Sequence, residues 1–288
     1  MVFTMNGTTA DVTARGRTIG DVLAELDERA EAMGEIIVEV AVDGTPLDPE
    51  ELAEASARDA SGDGTVALVA EPAADLKARG LESLIELVRA AAEAVASGDA
   101  EAAKAADDAW NSYRRSFGGL FSAEEASFID AFGERLAEGG PGSDIGPLAD
   151  NMTAFFGERL AELRDPGEAM MAAARLFDAI KDDLSEVPVR LQTGKDAEAM
   201  KTMVLAVELI NKTVRIMPEY VRVSAAPPLE IGGADMPEFY GSLNEVLKEL
   251  AQAFETKDGV LIGDLAEYEI RPRLESFYSA VRAATGTS

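Results

Sequence analysis

The chain contains neither cysteine nor histidine. Without cysteine there is no disulfide framework, no thiolate nucleophile and no thiolate metal site. Without histidine, the Ser-His and Cys-His designs of hydrolases, imidazole metal ligands, a phosphorelay histidine and the Glu-x-x-His motif of di-iron bundles are all excluded. Any catalysis would fall to carboxylates, lysine, tyrosine, serine or threonine. Long apolar runs are missing too: stretches such as Ile36 to Val42 fall far short of the roughly 20 residues a membrane span needs. The N-terminus shows no charged-then-apolar leader, so a cytoplasmic location is the expectation. Positive charge is scarce, with 26 Lys and Arg against 54 Asp and Glu and a net charge of −28. Such a surface repels phosphate backbones and anionic lipid. The densest basic spots, Arg114-Arg115 and Arg271 with Arg273, are flanked by acidic or apolar residues. Neither nucleic acid nor a membrane is expected as a partner, and nothing in the sequence requires a cofactor.

What is present suffices to build cores, since 47% of the 288 residues are apolar, enough for one large or two ordinary domains. Residues 2–5 and 8–13 flank Asn6-Gly7, the dipeptide whose easy positive φ makes a type I′ hairpin. Thr18 stands three residues before Asp21, the spacing of a capping box. Ile19, Val22, Leu23, Leu26, Ala30 and Met33 follow at helical spacing, and Gly34 supplies a C-terminal cap. Val38, Val40 and Val42 alternate with Glu39 and Ala41 as a strand ending at Asp43-Gly44. Pro49 to Ala57 reads as a short helix, and Val66, Leu68 and Ala70 as a last strand.

That order over about seventy residues, with VAVDGTPLDPEEL at Val40 to Leu52, resembles the ubiquitin-like β-grasp superfamily. The resemblance implies an α+β head at residues 1–71. Modifier and sulfur-carrier members of that superfamily act through a free C-terminal Gly-Gly, whereas this chain passes through Ala70-Glu71-Pro72 into more protein. The resemblance therefore implies a docking module here. Residues 1–71 hold 16 acids and 4 bases, which favours a basic partner surface.

From Asp75 onward the period becomes helical and alanine-rich, and residues 72–288 read as an all-α bundle, with subdomains at 75–165 and 168–288. Three stretches share one design of helix, tight polar turn and helix: Leu81 to Phe117 turning at Ser97-Gly98-Asp99, Leu176 to Met217 turning at Thr193-Gly194-Lys195-Asp196, and Phe239 to Val281 turning at Thr256-Lys257-Asp258. Gly tolerates the left-handed cap, and Asp can accept the amides that open the next helix. In the second hairpin, Phe177, Ile180, Leu184, Val187 and Leu191 face Met200, Met203, Val207, Ile210, Val214 and Met217 as two stripes that zip together. Pro188 lies within the first stripe and deletes one backbone hydrogen bond. FGERLAE occurs at Phe132 to Glu138 and again at Phe156 to Glu162, predicting two short helices around a Gly- and Pro-rich loop. A second loop is predicted over Ala225 to Pro237. The stretches LQTGKDAEAM and LAEYEIRP resemble uncharacterised bacterial helical proteins, and the alanine-rich hairpins are similar to secretion and flagellar export chaperones of the helical-bundle type.

Two groups could carry chemistry. Asp264, Glu267 and Tyr268, and Asp107 with Asp108, have a spacing that can hold Mg²⁺ or Ca²⁺ if a second helix adds oxygens. However, Glu267–Arg271 and Glu269–Arg273 pairs at i,i+4 account for the first group without a metal, so no metal site is assigned. Trp110, Tyr113, Arg114 and Phe117 form a possible partner-binding edge, because Trp, Tyr and Arg dominate interface hot spots; core packing is the simpler role. The expected function is a non-enzymatic adaptor or scaffold that binds protein partners and can form a homodimer. An export chaperone and a carboxylate-metal enzyme are the alternatives.

Overall fold

The computed structural model describes residues 1–117, 121–138, 144–224 and 230–285, the side chains of 115–117, 124 and 285 excepted. A five-stranded sheet comes first and a series of helices follows, so the α+β head and the helical remainder are both present. By internal contacts the chain divides into two compact units, Met1–Leu160 and Ala161–Ser288.

In the first unit, strands β1 (Val2–Met5), β2 (Thr8–Thr9), β3 (Glu35–Val42), β4 (Thr45–Pro46) and β5 (Thr65–Pro72) lie in the order β2-β1-β5-β3-β4, with β1 and β5 parallel at the centre. The hairpin turn is as predicted, Asn6 and Gly7 having φ of 50° and 77°. Asn6 does more than turn. Its side-chain amide donates to the Ala70 carbonyl at 3.1 Å and accepts from the Ala70 amide at 2.9 Å, prolonging the ladder beyond β1. The second strand is shorter than the predicted 8–13. The Val12 amide turns back to the Ala10 carbonyl at 3.1 Å, which takes it out of the sheet.

Helix α1 (Ile19–Ala32) begins with the predicted capping box of Thr18 and Asp21. Its Ile19, Val22 and Leu26 pack on Phe3, Val40, Val42, Val66 and Leu68. Helix α2 (Pro49–Ser56) starts from a second capping box, Asp48 with Glu51. The expected alternation along β3 fails at one place. A β-bulge between Ile37 and Glu39 shifts the register, so Val40 and Val42 are buried while Val38 is 43% exposed.

β5 ends at Pro72 and α3 (Ala73–Ala96) begins at the next residue. α3 and α4 (Ala100–Phe117) form the first predicted hairpin, with Gly98 at φ 76° and the Asp99 carboxylate accepting from the amides of Glu101 and Ala102. The two FGERLAE copies lie in α5 (Ala123–Glu138) and α6 (Gly146–Arg164) and have unlike roles. Phe132 and Phe156 are both fully buried. Arg159 of the second copy pairs with Glu125 at 2.6 Å and lies over Phe155.

The second unit holds α7 (Pro166–Gln192), α8 (Asp196–Val223), α9 (Met236–Thr256), α10 (Gly259–Asp264), a π-helical turn (Leu265–Ile270) and α11 (Arg271–Thr285). At the α7–α8 turn Gly194 is left-handed, but Asp196 is the first helical residue and caps nothing. At the α9 end Lys257 takes the left-handed position, and Asp258 accepts from the amides of Val260 and Leu261. The predicted loop ends earlier than Pro237, since Asp235 caps α9 and Pro237 sits in its first turn, where its missing N–H costs nothing. Helix α7 runs through Pro188, whose ring side abuts Gly263 of α10; a Cβ at Gly263 would lie 2.9 Å from the Pro188 Cα. Glu162, buried, pairs with Arg215 at 2.8 Å and Lys212 at 3.5 Å.

The inward face of α8 also differs from the predicted stripe. Met203, Ile210 and Met217 are buried with Ala199, Ala206, Leu209 and Ile216, whereas Met200 and Val214 point outward and Val207 is half-buried. Steps of three and four fit two stripes about 60° apart on this helix, and only the packing of the other helices chose between them.

Candidate functional site

Three surfaces carry side chains that sequence or geometry singles out. The first is the aromatic edge of α4. Trp110 is fully buried, edge-on to Phe132 with centroids 4.7 Å apart and planes at 66°. Its indole faces Gly133 so closely that a Cβ there would lie 2.7 Å from Nε1. A side chain closed off in this way belongs to the core of the four-helix part of the first unit. Tyr113 is exposed, and Arg114 pairs with Asp130 at 3.0 Å. The Phe117 side chain lies outside the described residues. The structure thus leaves Tyr113 and Arg114 at the surface and Trp110 beneath it, the indole and the Arg114 guanidinium both lying close to Gly133.

The second surface is an open groove of about 500 Å³ in the second unit, lined by Glu245, Glu249, Asp264, Tyr268, Glu269 and Arg273 among others. The π-helical turn shapes it. A π-helical turn holds more residues than an α-turn, so residues four apart no longer stack. The expected Glu267–Arg271 pair is replaced accordingly: the negative charge of Glu267 beside the Tyr268 phenol, then the hydrogen bond it accepts from that phenol, then desolvation and the charge of Asp264, push the phenol above its ordinary pKa. The Arg271 Nε is buried without a hydrogen-bond partner. Glu269 and Arg273, across the end of the π turn, do pair. Asp107 accepts a hydrogen bond from the Asn111 side chain at 3.0 Å. Among the described residues, no three carboxylates converge to hold a metal ion.

The third surface is the outer face of the head's sheet, opposite α1. Val2, Ile36, Val38 and Val69 are exposed there, Ile36 and Val38 at 43% each, and Glu39 stands directly across from Val69 in the ladder, with Glu71 across from Ile36. Exposed apolar residues on adjacent strands, bordered by carboxylates and not covered by a helix, can take up an amphipathic segment whose polar side is basic. Sequence alternation did not find this surface, because the bulge in β3 is what turns Val38 outward.

Among the described residues no helix is long and apolar enough to cross a membrane. No curated protein matches the chain, and no solved structure does. Two family models match parts of it. Residues 168–280, from α7 into α11, match a domain of unknown function (DUF8042). Residues 1–70, nearly the whole span of the five-stranded sheet, match the TP0873 N-terminal domain, so the chain is similar to that family over a distinct N-terminal domain that a helical remainder follows.

Proposed function

We propose that the chain is a cytoplasmic, non-enzymatic adaptor. Its head is a β-grasp domain that docks a basic protein segment, and its helical part supports self-association. The β-grasp reading is supported by the sheet order, by the central parallel β1–β5 pair, and by α1 and α2 falling between β2 and β3 and between β4 and β5. The direct passage of β5 into α3 is what sets the head apart from modifiers that act through a free tail.

The observation that carries the docking role is the exposed apolar strip of the sheet within a segment of 16 acids and 4 bases. Apolar contact supplies affinity to such a strip, and its carboxylate border supplies orientation and rate of encounter.

The test uses the full chain as bait in its source cell, beside an Ile36→Asp, Val69→Asp variant. A client with a basic segment should be enriched by the parent and lost with the variant, and its binding should weaken as salt rises. Equal recovery by both baits, or nonspecific background alone, would refute the docking role. A variant with an altered circular dichroism spectrum is replaced by Val38→Asp, which tests the same strip.

A further inference from the structure

We propose that two copies of the chain pair antiparallel, about a two-fold axis, through the outer face of α8. This deepens the self-association part of the reading above and rests on it. The head's docking role concerns other residues and stands or falls separately.

The face is defined by spacing. Met200, Val204, Val207, Asn211, Val214, Pro218 and Val221 recur in alternating steps of four and three over three heptads, the a/d pattern of a coiled-coil seam. It is a second seam, since the other side of α8 is already buried in the unit's core. Val204 and Val221 are each 52% exposed and Val214 is 45% exposed, while Val207 is half-buried. A helix that is apolar on two sides has, in water, a second partner to find.

Asn211 indicates what that partner is. It is the one residue in the seam with a side-chain hydrogen-bonding group, and it lies at the middle position of the seven. A lone Asn at such a position costs stability and fixes register, because it is satisfied in only one alignment. In an antiparallel pair centred on the seam, Asn211 comes close to the two-fold axis.

Charge selects the same arrangement. In a chain of net charge −28, α8 carries equal numbers of acids and bases, so the helix itself adds no net charge to a meeting of two copies. Its N-terminal half has Asp196, Glu198 and Glu208 against Lys201; its C-terminal half has Lys212, Arg215 and Arg222 against Glu219, an excess of two bases, and Lys212 and Arg215 share the single buried Glu162 of the same chain. Antiparallel pairing lays the acidic half on the basic half and opposes the helix dipoles, whereas parallel pairing lays like on like. The one like-signed meeting, of Lys201 with the second copy's Arg222, is softened because Glu219 already holds Arg222 at 2.7 Å.

A seam of three heptads is about 32 Å long and, at a helix width of about 10–12 Å, covers roughly 350 Å² per chain. The pair buries roughly 700 Å² before flanking side chains are added, less than the roughly 1,000 Å² of a stable specific interface, so the pairing is of the weak, transient kind. The dimer should therefore form only toward the upper end of a micromolar range, and it should tighten as salt screens the remaining repulsion.

Sedimentation equilibrium of the full chain from about 1 to 300 μM, at low and high salt, tests this range. The mass should rise from 30.4 kDa to twice that value. Val214→Asp should hold the chain monomeric with unchanged thermal melting, its side chain being exposed. Orientation is read by single cysteines, which the cysteine-free chain allows. Asn211→Cys should cross-link on mild oxidation; Met200→Cys, whose counterparts would stand about 30 Å apart, should not. A monomer at every concentration and salt, a dimer indifferent to Val214→Asp, or cross-linking through Met200→Cys as readily as through Asn211→Cys would overturn the proposal.

Discussion

Replacing Gly263 with alanine sets two effects of known size against each other. Within a helix, Gly→Ala ordinarily stabilises by about 0.5–1 kcal/mol, because alanine loses less backbone freedom on folding. At Gly263 the added Cβ would fall 2.9 Å from the Cα of Pro188 and 3.1 and 3.2 Å from its Cβ and Cγ. All three atoms belong to the pyrrolidine ring, and the Cα to the backbone as well, so none can swing aside, and α10 must move off α7. Forcing a methyl group into a packed crossing costs about 1–3 kcal/mol, so the packing cost should win. The expected result is a net loss of up to about 2.5 kcal/mol, the difference between those two effects. Gly241→Ala, in α9 of the same unit, is the control. Nothing lies within 4 Å of its added Cβ, so it should stabilise by up to about 1 kcal/mol. Urea denaturation followed by circular dichroism reads both, with the midpoint moving down for the first variant and up for the second at unchanged slope. Because α10 leads directly into the π turn, Gly263→Ala should also disturb Tyr268 and the groove. If it stabilised as much as Gly241→Ala, the close α7–α10 crossing would be refuted.

A similar opposition should appear within the repeated heptapeptide: Gly133→Ala should cost about 1–3 kcal/mol and shift the emission of the single Trp110, whereas Gly157→Ala, with open space around it, should be neutral or stabilising with no change in emission. Unchanged fluorescence and stability in the first variant would contradict the indole–glycine contact. Alkaline pH should unfold the second unit through its buried tyrosines. Burial pushes the Tyr240 phenol up to about 12, and burial, outweighing the hydroxyl of Thr213 at 2.6 Å, pushes Tyr278 higher still. A raised acid pKa means that the folded state keeps a proton the unfolded state gives up, so this stability is complete below pH ~10 and is lost as pH climbs toward the folded values. Melting temperature measured from pH 9 to 12 should fall above 10 and fall less in Tyr240→Phe; a flat profile, or an identical fall in that variant, would refute the assignment.

The amino-acid sequence by itself determined what depends on neighbours a few residues apart. Asn6-Gly7 turns because those residues tolerate positive φ, Thr18 with Asp21 opens a helix because the two side chains satisfy its free amides, and Gly98 closes another for the same local reason. Helical and strand periods located the head, the remainder and the three hairpins, and the missing cysteine and histidine removed whole classes of chemistry. Tertiary structure decided whatever depends on partners far along the chain. Met200 and Met203 look equivalent in sequence, yet the helices packed around α8 bury one and leave the other on an open seam. Trp110 reads in sequence as either a core residue or an interface anchor, and it is Phe132 and Gly133, far along the chain, that enclose it in the core. Val38 alternates correctly, but a bulge in the pairing with β5 turns it out onto the outer face of the sheet. Glu267 and Arg271 stand four apart, but the π turn, which packs against α7, α9 and α11, breaks their alignment. Burial is a property of the whole packing, and a local pattern can specify which side chains share a face without specifying which face the rest of the chain will cover.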